Sequence, residues 1–539
     1  MVQDTQLFDY TIQKAIHYET SYYKNLIASY TIHSLSETLP LYMTDTEVTI
    51  DNVVNITYDL ESTIPKELTY DIIGLENYTE TQMTFSDIYT ETNGILTFRG
   101  NNFRSSPSYG FSTIEDHSLK IAWAFETGCS SWGGGAGWTG QPALVQWPEE
   151  TKLHMNLFEE FKQSNNFVEV IYASLDGHIY FLDLETGLES RPSINTGNPI
   201  KGSVSIDSRG YPLLYVGEGI PENNTIGYSI YNLLNGELLY RINGYDSDAY
   251  RRWGAFDSSA LLNIESDILI IPGENGLIYF VRLNTLYDNE NMTISLSPAI
   301  TKYRYQFNGR KRLGIESSVA AYKNLLYVAD NSGYIQCIDL ISLEPIWLVD
   351  AEDDTDSSIT LELENDIPFI YTGNEVDFQG SSGESTIRKI NGLTGDILWE
   401  RSYTCKSILG EHPVNGGLFG TPVIGKKLID NMIIVTIARY ENIKTGLITA
   451  LDKTTGNTIW ESEMQNYAWS SPTDFYDSNG NAYIIQCNSI GEMALINGIN
   501  GKELDKIQLN ANIESSPAIY NDYIVVATRG RKIYGINIE

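Results

Sequence analysis

Leu447-Ile448-Thr449-Ala450-Leu451-Asp452-Lys453-Thr454-Thr455-Gly456-Asn457-Thr458-Ile459-Trp460, followed by Trp469-Ser470-Ser471-Pro472, is the clearest copy of a unit that recurs about eight times between residue 120 and the C-terminus. An alternating apolar strand runs into Asp, and a four-residue turn ends in Gly. A second strand then ends in Trp, and a Ser-Ser-Pro element follows. A fixed period of roughly 40–60 residues with about four short strands per copy is the signature of a β-propeller. No single copy buries its own faces, so the copies must stack in a ring.

Aligned on the Asp position, the copies read Asp183, Asn232, Arg282, Asp339, Asn391, Asp452, Asn497 and Asn537. The gaps are 49, 50, 57, 52, 61, 45 and 40 residues. Gly187, Gly236, Gly395, Gly456 and Gly501 follow four positions later. Asp and Asn side chains cap tight turns, and Gly supplies positive φ. Four residues further stand Trp347, Trp399 and Trp460, with Tyr240 and Leu504-Asp505 as weaker counterparts. Such aromatics would wedge between neighbouring blades. The third copy has lost the turn but keeps Ile278-Tyr279-Phe280-Val281, an echo of Ile179-Tyr180-Phe181-Leu182.

The last copy supplies only Tyr523 to Thr528 and Lys532 to Ile538. Lys120 to Phe125 and Gln141 to Val145 are left over at the front. A blade shared by both ends would close the ring and remove its exposed edges. The expected fold is therefore all-β: an eight-bladed propeller with a shared closing blade over residues 96–539. Residues 1–95 are expected to form a small α+β extension, with an amphipathic helix over 5–31, short strands and a polar linker.

Ala450-x-Asp452-x-x-x-Gly456-x-x-x-Trp460 resembles the tryptophan-docking motif of the pyrroloquinoline-quinone (PQQ) dehydrogenase-like propellers. Thr97-Phe98-Arg99-Gly100-Asn101-Asn102-Phe103-Arg104, with Trp138-Thr139-Gly140-Gln141-Pro142, is similar to segments of uncharacterised secreted or surface propellers of Gram-positive anaerobes. The resemblance covers about residues 90–539. It implies the fold and is nearly silent on function, because the motif residues are structural.

Composition excludes several partners. A formal net charge of −35, from 70 acidic and 35 basic residues, disfavours nucleic acid and anionic membrane surfaces. No apolar run is long enough for a membrane-spanning helix. The start, Met1-Val2-Gln3-Asp4, lacks the basic region of a signal peptide, so an export signal is expected to have been removed from an extracellular or cell-surface protein. Cys129, Cys337, Cys405 and Cys487 form no CxxC pair, and Cys337 and Cys487 read as small core residues.

Ligands of propellers gather at the channel mouth. The residue before each Ser-Ser-Pro-like element reads Thr139, Lys201, Asp257, Glu316, Asp356, Phe419, Trp469 and Glu514 around the ring. The candidate ligand-binding residues are Lys201, Arg251, Arg252, Trp253, Asp257, Glu316, Asp356, Trp469 and Glu514. Asp257, Glu316 and Asp356 are the candidate metal ligands. The acidic run Glu352-Asp353-Asp354-Thr355-Asp356 reads as a solvated loop, and Asp477-Ser478-Asn479-Gly480-Asn481 as a hairpin turn with a faint calcium-loop character. No catalytic residue is assigned. The expected function is an exported, monomeric, non-enzymatic propeller that binds a protein, peptide or glycan at its mouth without a cofactor. The alternative implied by the resemblance is a quinoprotein dehydrogenase using PQQ and Ca²⁺, in which the cofactor carries the redox chemistry. Many such enzymes stack PQQ between a Trp and an adjacent Cys-Cys disulfide. Here Trp469 is the counterpart of that Trp by repeat position only, and no adjacent Cys pair exists.

Overall fold

The computed structural model describes residues 57–539, apart from 59, 61, 63–65, 79–82, 138, 311 and 411–412. The expected helix over 5–31 lies outside the described residues.

Eight antiparallel sheets form the ring. Blade one runs outward from Ala143–Val145 through Glu169–Ala173 and His178–Asp183 to Ile194–Asn195. The innermost strands of blades two to five are Ser205–Ile206, Leu261–Asn263, Ala320–Tyr322 and Thr360–Glu364. In blade six the inner edge is split between Gly416–Leu418 and Val423–Ile424, and blade seven begins at Thr473–Tyr476. Blade eight takes Ala518–Tyr520, Tyr523–Thr528 and Lys532–Ile538 from the C-terminus and Leu119–Glu126 from the front. The shared closing blade is thus present, in a three-plus-one division. The front strand at Gln141 to Val145 does not join it. Ala143–Val145 instead opens blade one, because Leu119–Glu126 alone completes the sheet as its outer strand.

The second strand of each blade is sandwiched between neighbouring blades and reads as a continuous apolar run. Met432–Ala438, in blade six, is buried at every position. The Asp-to-Gly turn that follows the third strand caps itself. Asp452 Oδ1 accepts the backbone N–H groups of Thr454 and Thr455 at 3.0 and 2.8 Å, and Gly456 sits at φ 69°.

The tryptophans dock as the motif implies. The indole N–H groups of Trp123, Trp347, Trp399 and Trp460 donate to the carbonyls of Leu184, Gly392, Lys453 and Gly498 in the next blade, at 2.8–3.1 Å. Each ring lies over the turn glycine of that blade: Gly187, Gly395, Gly456 or Gly501.

The Ser-Ser-Pro elements join the inner ends of the blades. Ser318 Oγ accepts the N–H of Ser259, Ser358 Oγ that of Ser318, Ser471 Oγ that of Thr421, and Ser516 Oγ that of Ser471. Ser516 Oγ in turn donates to the Thr139 carbonyl at 2.9 Å, which links blade eight to the entry of blade one.

The segment Gly94 to Tyr109 fills the channel and touches every blade. Gly94–Ile95 pairs with blade one, and the Leu96 carbonyl accepts Ile206 N–H of blade two at 2.7 Å. Arg104 donates to the carbonyls of Ser259 in blade three and Val319 in blade four, both at 2.8 Å. The Phe103 carbonyl accepts Leu361 N–H of blade five at 2.8 Å. Arg99 donates to Pro422 and Pro472 of blades six and seven at 3.2 and 2.6 Å. Ser108–Tyr109 pairs in parallel with blade eight. Arg99 and Arg104 are fully buried, and most of their donors meet carbonyls of the blades or of the plug, with Arg99 Nε left without a partner.

Ser62 to Thr92 departs from the linker reading. Leu68–Ile73 adds a fifth strand to blade three, antiparallel to Ala299–Phe307. Its alternating Leu68, Tyr70 and Ile72 pack on the blade, with Tyr70 stacked on Tyr303 at 5.7 Å. The strand covers the outer edge that the trp-less third copy leaves open.

Cys337, Cys405 and Cys487 are buried and Cys129 is exposed, all as free thiols. Asp477 caps its own hairpin, accepting the N–H groups of Asn479 and Asn481. Among the described residues, no helix is long and apolar enough to cross a membrane.

Candidate site at the channel mouth

Each residue that precedes a Ser-Ser-Pro-like element enters its blade at the same end of the ring. Thr139, Lys201, Asp257, Glu316, Asp356 and Phe419, from blades one to six, line one cavity of about 20 Å³. Phe98 of the channel segment contributes to its wall, so the mouth ends at the plug. That volume holds about one water-sized guest.

A second ring of acids comes from the hairpins between the second and third strands. Glu274 and Glu375 stand there in blades three and five. Asp257, Glu274 and Glu316 place carboxylate oxygens within 4.8 Å of one another, and so do Asp354, Asp356 and Glu375. The three candidate metal ligands therefore divide between two groups, Asp257 and Glu316 in one and Asp356 in the other.

The first group surrounds Lys201. Its ammonium pairs with Asp257 Oδ2 and stands 3.7 Å from Glu274 Oε1. Burial opposes the charge on Lys201, but Asp257, Glu274 and Glu316 outweigh it and hold the amine above its ordinary range. Burial pushes the Asp257 and Glu274 carboxyls up, with Glu316 adding to both and Lys201 opposing. Glu316 also accepts the Asn331 amide at 2.7 Å.

In the second group Lys201 and Arg251 ease only Asp356, and no cation acts on Asp354 or Glu375 to a comparable degree. Burial raises Asp354, Asp356 and Glu375 well above the carboxylate range; neighbouring carboxylates add to it, Asp356 and Glu375 at Asp354, Asp356 and Glu316 at Glu375, and Glu316 and Asp257 at Asp356, where Lys201 and Arg251 oppose them. The acidic run is therefore not a solvated loop. Asp353 is buried and accepts the N–H groups of Asp377 and Phe378 at 3.1 and 2.8 Å. Glu352 pairs with Arg388 at 3.1 Å. Asp356 lines the mouth, and Asp354 converges on it and on Glu375. The loop is buried because blade five's second hairpin folds back over it.

The other candidate residues do not line this cavity. Trp469 packs on Phe419 and Tyr467, with ring centroids 5.2 and 5.4 Å apart. Glu514 lies 3.6 Å from Arg529 and accepts the Asn512 amide at 2.9 Å. Arg251 donates to the Leu313 carbonyl at 2.8 Å, and Arg252 is exposed. Trp253 is half-buried in the same loop.

Glu274 and Glu375 escaped the sequence reading, although the signal was there. An acid or amide follows the end of the second strand in Gly217-Glu218, Gly273-Glu274, Ala329-Asp330 and Gly373-Asn374-Glu375. Glu218 Oε2 accepts Asn198, Gly227 N–H and Arg241, although its Oε1 is buried without a hydrogen-bond partner, and Asp330 accepts Tyr305, Ser332 and Gly314 N–H. Glu274 Oε1 and Glu375 Oε2 have no hydrogen-bond partner.

A family model described as outer membrane protein assembly factor BamB matches residues 444–539. No curated protein matches in sequence. Among solved structures, the quinohemoprotein alcohol dehydrogenase ADHIIG of Pseudomonas putida HK5 is similar at a TM-score of 0.55 and 10% identity, over 83% of this chain and 80% of that one. BamB from Moraxella catarrhalis gives a TM-score of 0.48 at 13% identity, over 78% of this chain and 99% of that one. Repeat, docking tryptophans and ring together show a β-propeller fold built of PQQ-like repeats. At such identities the likeness speaks for the fold and not for an activity.

Proposed function

We propose that this chain is an exported, non-catalytic binding propeller whose working surface is the channel mouth. The observation that carries the reading is the mouth itself: a blind, carboxylate-rich recess built from consecutive blades, with Lys201 as the ammonium inside it. Surplus buried carboxylate favours a protein or peptide partner that presents a Lys or Arg side chain, since opposite charges at an acidic recess steer association. A neutral glycan gains little from that charge.

The residues present do not fit PQQ. The quinone carries three carboxylates and needs a flat slot between two faces. The recess is lined by buried carboxylates, which would repel the cofactor's own. The Trp469 ring, buried against Phe419 and Tyr467, is not an open floor.

The test is binding of the full chain to peptide and glycan arrays, repeated with Asp257→Asn/Glu316→Gln. The reading expects Lys- and Arg-bearing peptides to bind, with salt-sensitive affinity, and the double variant to lose them. Binding confined to neutral glycans and unchanged in the variant would refute the basic-partner reading. PQQ-dependent dye reduction in the wild type, lost in the variant, would refute the non-catalytic one.

A further inference from the structure

The two carboxylate groups at the mouth are chemically unlike. Asp257, Glu274 and Glu316 have an ammonium among them. Of Asp354, Asp356 and Glu375, Asp356 alone is also eased by Lys201 and Arg251, against the repulsion of Glu316 and Asp257. Asp354 is 7% exposed and Glu375 3%, and Asp354 Oδ1 and Glu375 Oε2 are buried with no hydrogen-bond partner. The groups that act most on Asp354 are the carboxylates Asp356, Glu375, Glu316 and Asp330. Those acting on Glu375 are Asp356, Glu316 and Asp353, with the Asn415 amide as its one favourable neighbour. The Asn415 Oδ1 is itself without a partner. Arginines nearby are engaged elsewhere, Arg388 with Glu352 and Glu400, and Arg312 with Asp377.

Buried orphan carboxylate oxygens cost several kcal/mol unless they are protonated or meet a cation. Three converging acids in one burial shell cannot all ionise without one. We infer that Asp354, Asp356 and Glu375 form a calcium site on the blade-five side of the mouth. The donor set is oxygen alone, with no His or Cys in the group, which suits a hard cation rather than zinc or copper. Blade five supplies all three acids. Asp353 fixes the Asp377 to Gln379 loop against the loop that bears Asp354 and Asp356, so the ligand loops hold each other in place. The site stands whether or not a basic peptide binds at the mouth, because it rests on the unpartnered oxygens of Asp354 and Glu375, which lie outside the group that surrounds Lys201.

The experiment is calorimetric titration of the chelator-stripped full chain with calcium chloride, on wild type, Glu375→Gln, Asp354→Asn and Asp257→Asn. One calcium per chain is expected. Glu375→Gln and Asp354→Asn should each weaken it at least about tenfold, since affinity follows the ligand charge count. Asp257→Asn should leave it within about twofold. In chelator, Glu375→Gln should melt at or above the wild type, because it removes repulsion without removing a partner; a lower melt would show that the carboxylate has a protein partner and would overturn the site. No calcium binding up to about 10 mM, beyond the range of weak extracellular calcium sites, also overturns it. So does binding that survives Glu375→Gln and Asp354→Asn but is lost in Asp257→Asn.

Discussion

Gly501 lies directly beneath the indole of Trp460: a Cβ on Gly501 would stand 2.4 Å from the ring, and the glycine holds φ 70°. The two residues come from blades six and seven, so this contact is where one repeat recognises the next. It explains why Gly and Trp recur together at fixed spacing. Gly501→Ala should therefore cost more than the usual glycine-to-alanine change, about 2–4 kcal/mol from overpacking together with the left-handed backbone. Trp460→Ala, which leaves a cavity at the same place, should cost about 3–5 kcal/mol. Urea melts of both variants check this. A loss below about 1 kcal/mol for either would mean that the docking does not hold the blades together.

Arg104 ties blades three and four to the channel segment. It is fully buried, bonded to the Ser259, Val319 and Phe98 carbonyls and to Thr97, and burial alone brings its guanidinium down to about 10. Arg104→Met keeps most of the volume but leaves three buried carbonyls without this donor. The expected loss is about 3–5 kcal/mol in equilibrium unfolding. The same loss should appear as faster proteolysis, because the plug contacts all eight blades. A variant as stable as the wild type would show that the ring closes without the plug.

Much of this fold was legible because it repeats. Asp452, Gly456 and Trp460 are local signals, and their spacing carries over to the neighbouring copies. The closing blade was only half legible. Leu119–Glu126 and Ala143–Val145 both look like spare strands, and sequence does not say which side of the gap each joins. The role of the plug depends on contacts more than 200 residues away in sequence, such as Arg104 with Val319, which no local pattern in Thr97 to Arg104 encodes. At the mouth, one acid per repeat could be aligned because Ser-Ser-Pro marks the place. Glu274 and Glu375 follow a weaker mark, a small residue ending a strand. Which of the aligned acids is paired depends on lateral neighbours such as Lys201, and periodicity does not encode them.

The closing blade carries its own docking pair. Gly535 faces the Trp123 ring, where a Cβ would meet Cε2 at 2.1 Å. Gly535→Ala should displace Trp123 from its bond to the Leu184 carbonyl and loosen the joint between the two ends of the chain. The expected cost is about 1–3 kcal/mol, with increased hydrogen exchange in Leu119–Glu126 and Lys532–Ile538 ahead of the other blades. Uniform exchange across all eight blades would argue against a weak seam there.

Lys201 sets the pH dependence of the mouth. Its amine is raised in the fold, so its favourable contribution is complete at neutral pH and is lost only in strong alkali, as the pH climbs through the folded value. Asp257 and Glu274 are shifted the other way relative to stability: their folded carboxyls are raised, so the fold binds protons that the unfolded chain has released. Their contribution is favourable at acid pH and is lost as the pH rises from the ordinary carboxylate range, about 4, towards the raised values. Lys201→Met removes the ammonium and keeps the stem, leaving these acids buried without a cation. It should cost about 3–5 kcal/mol at pH 7.5, the usual cost of breaking a buried pair, and distinctly less at pH 5, where the acids take up protons. Urea melts at the two pH values, in chelator, measure the difference. An equal loss at both would mean that Asp257 and Glu274 do not titrate in that window, and that Lys201 stabilises the mouth by packing alone.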